Sequence, residues 1–182
     1  MTKEQIEAVI KSIVDGNVND FEVLLNQYSR PIEIYLLRML NFNQADCDDA
    51  LSQTWLKVYQ NINSFNPQMQ FSSWLYRIAH NEACNLIRTN AKFWTTDMEL
   101  LNKPQLIDWD KTSNQAQIQS LETILSQLSM QDRNLLTLFY LDQIPAKEIA
   151  IILKTTPNNV NIKVKRAKDK AIKLCGNLSD KF

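Results

Sequence analysis

The chain has 182 residues, a length that fits one large or two small domains, and its 20 basic and 20 acidic residues give no net charge. No apolar run reaches the roughly 18 residues that span a bilayer and no charged-then-apolar leader opens the sequence, so a cytoplasmic protein is expected. The cysteines, Cys47, Cys84 and Cys175, are odd in number and lack CxxC spacing, which argues against a disulfide framework or structural zinc.

An all-α fold is predicted, because apolar residues recur at three- and four-residue spacing and only two glycines are present. The first half should hold four helices, with Pro31 breaking or kinking the second. These helices cover 3–15, Phe21 to about Leu40, Asp46 to about Ile62, and Phe71 to about Thr89. The third helix should bury a stripe made of Leu51, Trp55, Val58, Tyr59 and Ile62.

One face of the fourth helix combines aromatic, amide and basic side chains at helical spacing. It carries Trp74, Arg77, Asn81, Cys84 and Arg88, with His80 beside them. Such a face suits stacking with unpaired bases and contact with a nucleic-acid backbone. A core tryptophan with solvated arginines is an equally good interpretation of this helix alone. The polar loop before it, with Asn61, Asn63, Ser64 and Asn66, could form a pocket for a splayed-out base.

Catalysis and metal binding find little support in the first half. His80 and Cys84 lie at i and i+4, but no third ligand accompanies them, so no metal site is expected. The chain has no Ser/His/Asp order, no glycine-rich phosphate loop and no HExxH motif, so no catalytic residue and no cofactor are predicted. Asp48 and Asp49 diverge on a helix, which suits a protein-binding surface.

Residues 91–117 lose helical periodicity and gather Asp97, Glu99, Asp108 and Asp110. A loop of that length is improbable inside one compact domain, so we interpret it as a flexible acidic linker between domains 1–90 and 118–182. Two further helices are predicted after it, from Ile118 to about Ser129 and from Gln131 to Leu141. Ser129 is a plausible N-cap between them.

The segment from Ile144 to Leu174 has the layout of a helix-turn-helix, whose second helix lies in the DNA major groove. Pro157 suits the first position of the second helix, with Thr156 as its N-cap. The buried stripe of this helix is Val160, Val164, Ala167, Ala171 and Leu174. The alternative is a solvated basic helix in an ordinary bundle.

The outward side of the second helix is rich in amides and then in basic residues. The candidate DNA-contacting residues are Thr156, Asn158, Asn159, Asn161, Lys163, Lys165 and Arg166. Asparagine can read adenine, while lysine and arginine hold phosphates or guanine. Residues 121–182 carry ten Lys/Arg against six Asp/Glu, a charge of +4, so the rest of the neutral chain carries −4. A tight DNA binder would be more basic, so we expect weak binding that needs help.

Together these motifs resemble the extracytoplasmic-function (group 4) sigma factors of bacterial RNA polymerase, which belong to the sigma-70 family. The resemblance is carried in region 2 by CDDALSQTWLKVYQNINSF and FSSWLYRIAHNEACNLIR, and in region 4 by LSQLSMQDRNLLTLFYLDQIPAKEIAIILKTTPNNVNIKVKRAKDKAIKL. It covers about residues 18–90 and 118–175. It implies two small helical domains and a promoter-recognition subunit without enzymatic activity.

The resemblance also assigns roles to positions. Polymerase docking falls on Asp48, Asp49, Gln53, Trp55 and Lys57. Recognition of the −10 element falls on Asn61, Asn63, Ser64, Trp74, Arg77, His80, Asn81 and Arg88. The helix from Pro157 to Lys173 corresponds to the −35 reader. Core RNA polymerase and promoter DNA are the implied partners, with no small-molecule substrate. An anti-sigma factor, which can be membrane-bound, restrains many relatives and is a further candidate partner.

Four positions depart from the family pattern. Ser52 and Gln53 stand where Gln-Glu is usual, and His80 replaces an arginine. Lys154 replaces the usual turn glycine, at a cost of about 1 kcal/mol if its φ is positive. The main competing hypothesis is a stand-alone helix-turn-helix regulator that binds as a dimer. A purely helical interaction protein is a third possibility, and an enzyme is the poorest interpretation.

Overall fold

The computed structural model describes the backbone of residues 1–93 and 115–179, and the side chains of residues 1–89 and 121–175. Within those ranges the chain is helical and has no strand, which confirms the all-α prediction. The helices are α1 (Lys3–Val14), α2 (Phe21–Met39), α3 (Gln44–Asn61), α4 (Phe71–Phe93), α5 (Gln115–Gln127), α6 (Met130–Leu136), α7 (Ala146–Ile152) and α8 (Pro157–Ser179). Most of the predicted linker, residues 94–114, lies outside the described residues.

Side-chain caps fix the starts of several helices. Thr2 and Gln5 form a capping box on α1, and Asn43 accepts from the Asp46 N–H at 3.2 Å to cap α3. Ser129 accepts from the Asp132 N–H at 3.2 Å, so its predicted role as N-cap of α6 is confirmed. Each cap of this kind stabilises its helix by about 1 kcal/mol.

Of the predicted break or kink at Pro31, the break is wrong, because α2 continues through this residue. The helical hydrogen bond that proline cannot make would go to the carbonyl of Gln27, and both residues are exposed. Water can therefore solvate that carbonyl. Leu24, Ile32 and Leu36 are fully buried on either side of the proline and hold both parts of the helix against the core.

The buried face of α3 differs from the predicted stripe: Cys47, Ala50 and Thr54 are buried, whereas Leu51 and Trp55 are only half-buried. Tyr59 is 46% exposed and packs edge-on against Phe21 at the rim, with ring centroids 5.4 Å apart. Thr54 is fully buried instead. Its hydroxyl donates to the carbonyl of Ala50 at 2.7 Å, which satisfies the polar group within the helix. Val58 and Ile62 are buried as predicted.

The helix-turn-helix is confirmed as α7 and α8. The C-terminal end of α7 forms a Schellman motif, in which Thr155 N–H donates to the Ala150 carbonyl at 2.9 Å and Lys154 N–H to the Ile151 carbonyl at 3.4 Å. Lys154 accordingly has a φ of +51°, the left-handed conformation that a glycine would adopt at lower cost. Thr156 then caps α8 by accepting from the Asn159 N–H at 3.3 Å, as predicted.

The two halves of the chain pack directly against each other, which the sequence did not predict. Helix α7 lies against α4, and α6 lies against α2. The buried cluster that contains Leu75 and Ala79 of α4 therefore continues into Leu138 and Ile149. No helix in the described part of the chain combines the length and apolar character needed to cross a bilayer.

Two isoleucines of α7 test this core. Ile149 is fully buried, whereas Ile151 on the same helix is 37% exposed. We expect Ile149→Ala to lower the free energy of unfolding by roughly 2–5 kcal/mol, because the cavity forms in a closed core. Ile151→Ala should change it by about 0.5 kcal/mol or less. Urea unfolding followed by circular dichroism measures both, and equal losses would contradict this description of the core.

Candidate nucleic-acid interface

The outward face of α8 presents most of the predicted DNA-contacting residues to solvent. Helix α8 buries Val160, Val164 and Ala167 against α5, α6 and α7, which turns its opposite side outward. The exposed candidates are Thr156, Asn158, Asn161, Lys163, Lys165 and Arg166. Lys168 is exposed beyond them. The amide-then-basic order of the sequence is therefore exposed to solvent along α8.

Asn159 differs from the other amides of this face. It is half-buried, and its side-chain Nδ2 donates to the Thr155 hydroxyl at 2.8 Å. Its backbone N–H is held by the Thr156 cap. Asn159 therefore ties the turn to the first turn of α8, while Asn158 and Asn161 have their amides in solvent.

A second polar surface is a groove of about 420 Å³ between α3, α4 and the turn before α8. It brings together Asn61, Asn81 and Arg88 of the predicted −10 reader. Asn85 and Lys154 also line it, although neither was predicted. Asn85 lies at i+4 from Asn81, so its spacing could have identified it. Lys154 comes from the other half of the chain, which no local pattern could show.

Hydrogen bonds and an ion pair fix the positions of the polar side chains in this groove. Arg88 donates through Nη2 to Asn85 Oδ1 at 2.8 Å, which fixes the guanidinium along α4. Lys57 forms a 2.6 Å ion pair with Glu82, whose side chain is only 9% exposed. The Lys57 side chain thus points toward α4 and the groove but remains 41% exposed, and its role in polymerase docking stays a prediction. Asn61 donates to the Lys57 carbonyl at 2.8 Å at the end of α3.

The loop that follows α3 also presents its predicted residues at the surface. Asn63 and Ser64 are exposed, and the Ser64 hydroxyl donates to the Asn61 carbonyl at 2.7 Å. Arg77 of α4 is half-buried. None of these three residues lines the groove.

Trp74 was predicted to stack on bases, but its side chain belongs to the core. It is 5% exposed, and its ring packs against Phe65 and Phe71 with centroids 5.5 and 5.8 Å apart. Phe65 comes from the loop before α4, so the helical pattern alone could not show that this face of Trp74 is covered. The Trp74 ring therefore packs against the loop through Phe65, and neither face of the ring is accessible to a base.

His80 was also predicted to contact DNA, but it faces the second half of the chain. Its Nδ1 lies 3.2 Å from the Tyr35 hydroxyl and 3.3 Å from Asn134 Nδ2, while its Nε2 lies 3.5 Å from Cys84 Sγ. The Tyr35 hydroxyl in turn donates to Asn134 Oδ1 at 3.0 Å. Burial lowers the pKa of His80. No cluster of three metal-ligating side chains occurs among the described residues.

His80 is part of a polar contact between the halves that we call the domain seam. From the first half it includes Tyr35, Arg38, Asn41, Ser73, Tyr76 and His80, and from the second Arg133, Asn134, Asp142 and Glu148. Ser73 donates to Glu148 at 2.5 Å, and Arg133 donates to Asn41. Burial lowers the pKa of Arg133 to about 10.

Asp142 is the most constrained carboxylate of the domain seam. A hydrogen bond from its own N–H to the Thr137 carbonyl, at 2.8 Å, ends the π-helical segment Thr137–Leu141 that follows α6, and the Asp142 side chain faces α2. Arg38 lies 3.8 Å from it. Burial raises the pKa of Asp142 to about 6, although the Arg38 charge and a hydrogen bond from Tyr76 counteract the rise.

The outer face of α3 forms a third candidate surface. Asp48, Asp49 and Gln53 are exposed as predicted. Trp55 is half-buried against Phe21, with ring centroids 5.8 Å apart, so only part of its ring can meet a partner. Leu56, 48% exposed, was not predicted. Its position in the sequence, shortly after the acidic residues of α3, could have identified Leu56 as part of this surface.

Family comparisons identify both halves of this architecture. The family model described as "Sigma-70 region 2" matches residues 24–93, and the family model described as "Sigma-70, region 4" matches residues 118–170. The chain belongs to the sigma-70 family. As an extracytoplasmic-function sigma factor, it directs core RNA polymerase to promoters and initiates transcription.

Relatives of this sigma factor match over most of their length. The ECF RNA polymerase sigma factor SigW of Bacillus subtilis is 28% identical over 175 residues, covering 90% of this chain and 93% of SigW. The ECF sigma-E factor of Haemophilus influenzae is 26% identical over 174 residues, covering 90% and 91%.

Solved structures share the fold. The sigma factor RpoE of Bartonella quintana, in complex with the anti-sigma factor NepR, has a TM-score of 0.73 at 17% identity, over 86% of this chain and 97% of RpoE. CnrH, in complex with the cytosolic domain of CnrY, has a TM-score of 0.70 at 18% identity, over 93% and 96%.

Trp74 and Asn81 separate a structural role from a contact role on α4. We expect Trp74→Ala to lower the free energy of unfolding by roughly 3–5 kcal/mol, because it empties a buried aromatic cluster. Asn81 is exposed, so Asn81→Ala should leave stability within about 0.5 kcal/mol while reducing permanganate reactivity of promoter thymines. Urea unfolding and permanganate footprinting measure the two effects. A stable Trp74→Ala variant would refute the buried placement.

Proposed function

We propose that this sigma factor divides its work among three surfaces: α8 reads the −35 element, the α3–α4 groove holds the opened −10 strand, and the outer face of α3 docks on core polymerase. The observation that carries the proposal is the face of α8, where solvent-exposed amides precede exposed basic residues on a helix-turn-helix. Phosphate contacts from Lys163, Lys165 and Arg166 would position α8, and amides at Asn158 and Asn161 would contact base edges.

The groove suits a single strand that has left the duplex. Its amides at Asn81 and Asn85 can donate to and accept from base edges, and Arg88 supplies charge for the backbone. Lys57 is the remaining cation of the first half in the groove, and its pairing with Glu82 reduces the local positive field. Because Trp74 is buried, capture here depends on hydrogen bonding and charge more than on stacking.

Docking is assigned to exposed acidic and apolar side chains on one helix. Asp48, Asp49 and Gln53 would meet the coiled coil of the polymerase largest subunit, and Leu56 adds an apolar contact beside them. We assign no catalytic group, metal or cofactor to the factor itself. It would act in the cytoplasm with the polymerase, restrained by an anti-sigma factor comparable to the NepR bound to RpoE.

Transcription with purified core polymerase tests this assignment. We expect the factor to direct defined start sites on genomic DNA, and Arg166→Gln to weaken promoter binding and flatten its dependence on salt, because one phosphate contact is lost. Lys11→Gln, which removes an exposed cation from α1, is the matched control and should change neither. Tight binding to symmetric sites without polymerase would instead support a stand-alone regulator.

The domain seam has to open for this division of work. In the closed arrangement Lys154 of the second half lines the groove of the first half. The side-chain amide of Asn134 contacts the His80 ring. The −10 and −35 surfaces then belong to one compact body and cannot engage two separated elements of a promoter. Docking on polymerase would hold the halves apart and make the second DNA contact effectively intramolecular.

Energy transfer between dyes on the two halves measures this opening. Exposed Val14 can be replaced by cysteine and paired with the exposed Cys175, in a background where Cys84 is alanine. We expect transfer to fall when core polymerase is added. Asn134→Ala should lower it even without polymerase, because the buried Tyr35 hydroxyl loses its acceptor.

The matched control is Asn26→Ala, which removes an exposed amide from α2 away from the domain seam. It should leave the transfer of the free protein unchanged. If transfer stayed the same in the polymerase complex, the halves would remain closed and the proposed opening would be wrong.

A further inference from the structure

An exposed isoleucine lies within the polar face of α8. Ile162 is 44% exposed and belongs to neither buried hydrophobic cluster of the described residues. It follows Asn158 by four positions, one turn along the helix. At 100° per residue it points roughly 170° away from the centre of the buried stripe formed by Val160, Val164 and Ala167. Ile162 is therefore at the crest of the outward face, where a groove-bound helix reaches deepest.

The chemistry of the side chain limits what it can read. Its neighbours on the crest, Asn158, Lys165 and Arg166, can each form hydrogen bonds, but Ile162 can only make apolar contact. In the major groove the apolar feature of a base pair is the C5-methyl group of thymine. Asn158 lies about 6 Å away along the helix axis, less than two base-pair steps, and its amide is suited to adenine.

We propose that Ile162 selects for thymine in the −35 element by packing on its C5-methyl group, next to an adenine read by Asn158. This inference rests on the proposed function of α8. It specifies the kind of base that the helix prefers and adds a residue that the amide-and-basic pattern had left out.

A second exposed isoleucine on α8 provides an internal comparison. Ile172 is 57% exposed, but it lies ten positions later, about 15 Å along the axis, whereas a recognition helix contacts base edges with its N-terminal residues. Asp169 comes between them on the outward side, and phosphates would repel its carboxylate. The groove-facing part of α8 therefore ends before Ile172, which makes Ile172→Ala the matched control for Ile162→Ala.

Replacing thymine by deoxyuridine removes only the methyl group and so tests the contact directly. A promoter mapped by transcription with the holoenzyme is prepared as a series of duplexes, each with one −35 thymine replaced. We expect wild-type holoenzyme to bind one of them about four-fold more weakly, the factor expected for one buried CH2 group. Ile162→Ala holoenzyme should bind the thymine duplex more weakly and no longer distinguish it from the deoxyuridine duplex.

Two further variants define the outcome. Ile162→Val should retain most of the thymine preference, and Ile172→Ala all of it. The inference is overturned if Ile162→Ala keeps the wild-type preference at every position, or if wild-type holoenzyme shows no preference at any thymine. The Arg166→Gln variant distinguishes failure of the Ile162 inference from failure of the proposed function. Unchanged affinity and salt dependence in that variant would show that α8 does not contact the DNA.

Discussion

Helix α4 has to satisfy two sets of neighbours at once, and the arrangement of both halves depends on how it does so. Its apolar side, with Leu75, Ala79 and Ala83, closes the core against α2 and α3. The side that carries Ser73 and His80 contacts α6 and α7 across the domain seam. The groove residues lie between these two sides. Nucleic acid and the second half of the chain would therefore contact adjacent surfaces of a single helix.

The composition of the domain seam suits a contact that can open. Buried polar groups cost free energy unless they are hydrogen-bonded, and Tyr35, His80 and Asn134 satisfy one another. When the halves separate, water replaces these bonds, so their net contribution is only about 0.5–1.5 kcal/mol each. The raised pKa of Asp142 shows that its charge is incompletely compensated in the closed form. A contact made only of apolar groups, such as Leu138 and Ile149, would hold the halves together more tightly.

Much of the fold could be predicted from the sequence, because helical periodicity, capping residues and turn chemistry are local. Thr156, Pro157 and the apolar stripe of α8 locate the helix-turn-helix without any tertiary information. The errors arise where a distant neighbour decides. Trp74 is covered by Phe65 from a loop, and His80 meets Asn134, 54 positions away in sequence. A 3.6-residue period shows which residues share a face, but it does not show what covers that face.

The charge distribution of the chain and the DNA-contacting face of α8 both suit a protein that must distinguish promoter DNA from other DNA. Phosphate contacts strengthen specific and non-specific binding alike, so a strongly basic factor would be retained throughout the genome. This chain has no net charge, and only its second half carries a positive excess. Amide and methyl contacts favour the correct sequence without adding affinity for other DNA. An apolar side chain at the crest of α8 therefore raises discrimination where charge alone cannot, while polymerase docking supplies the affinity that the separate domains lack.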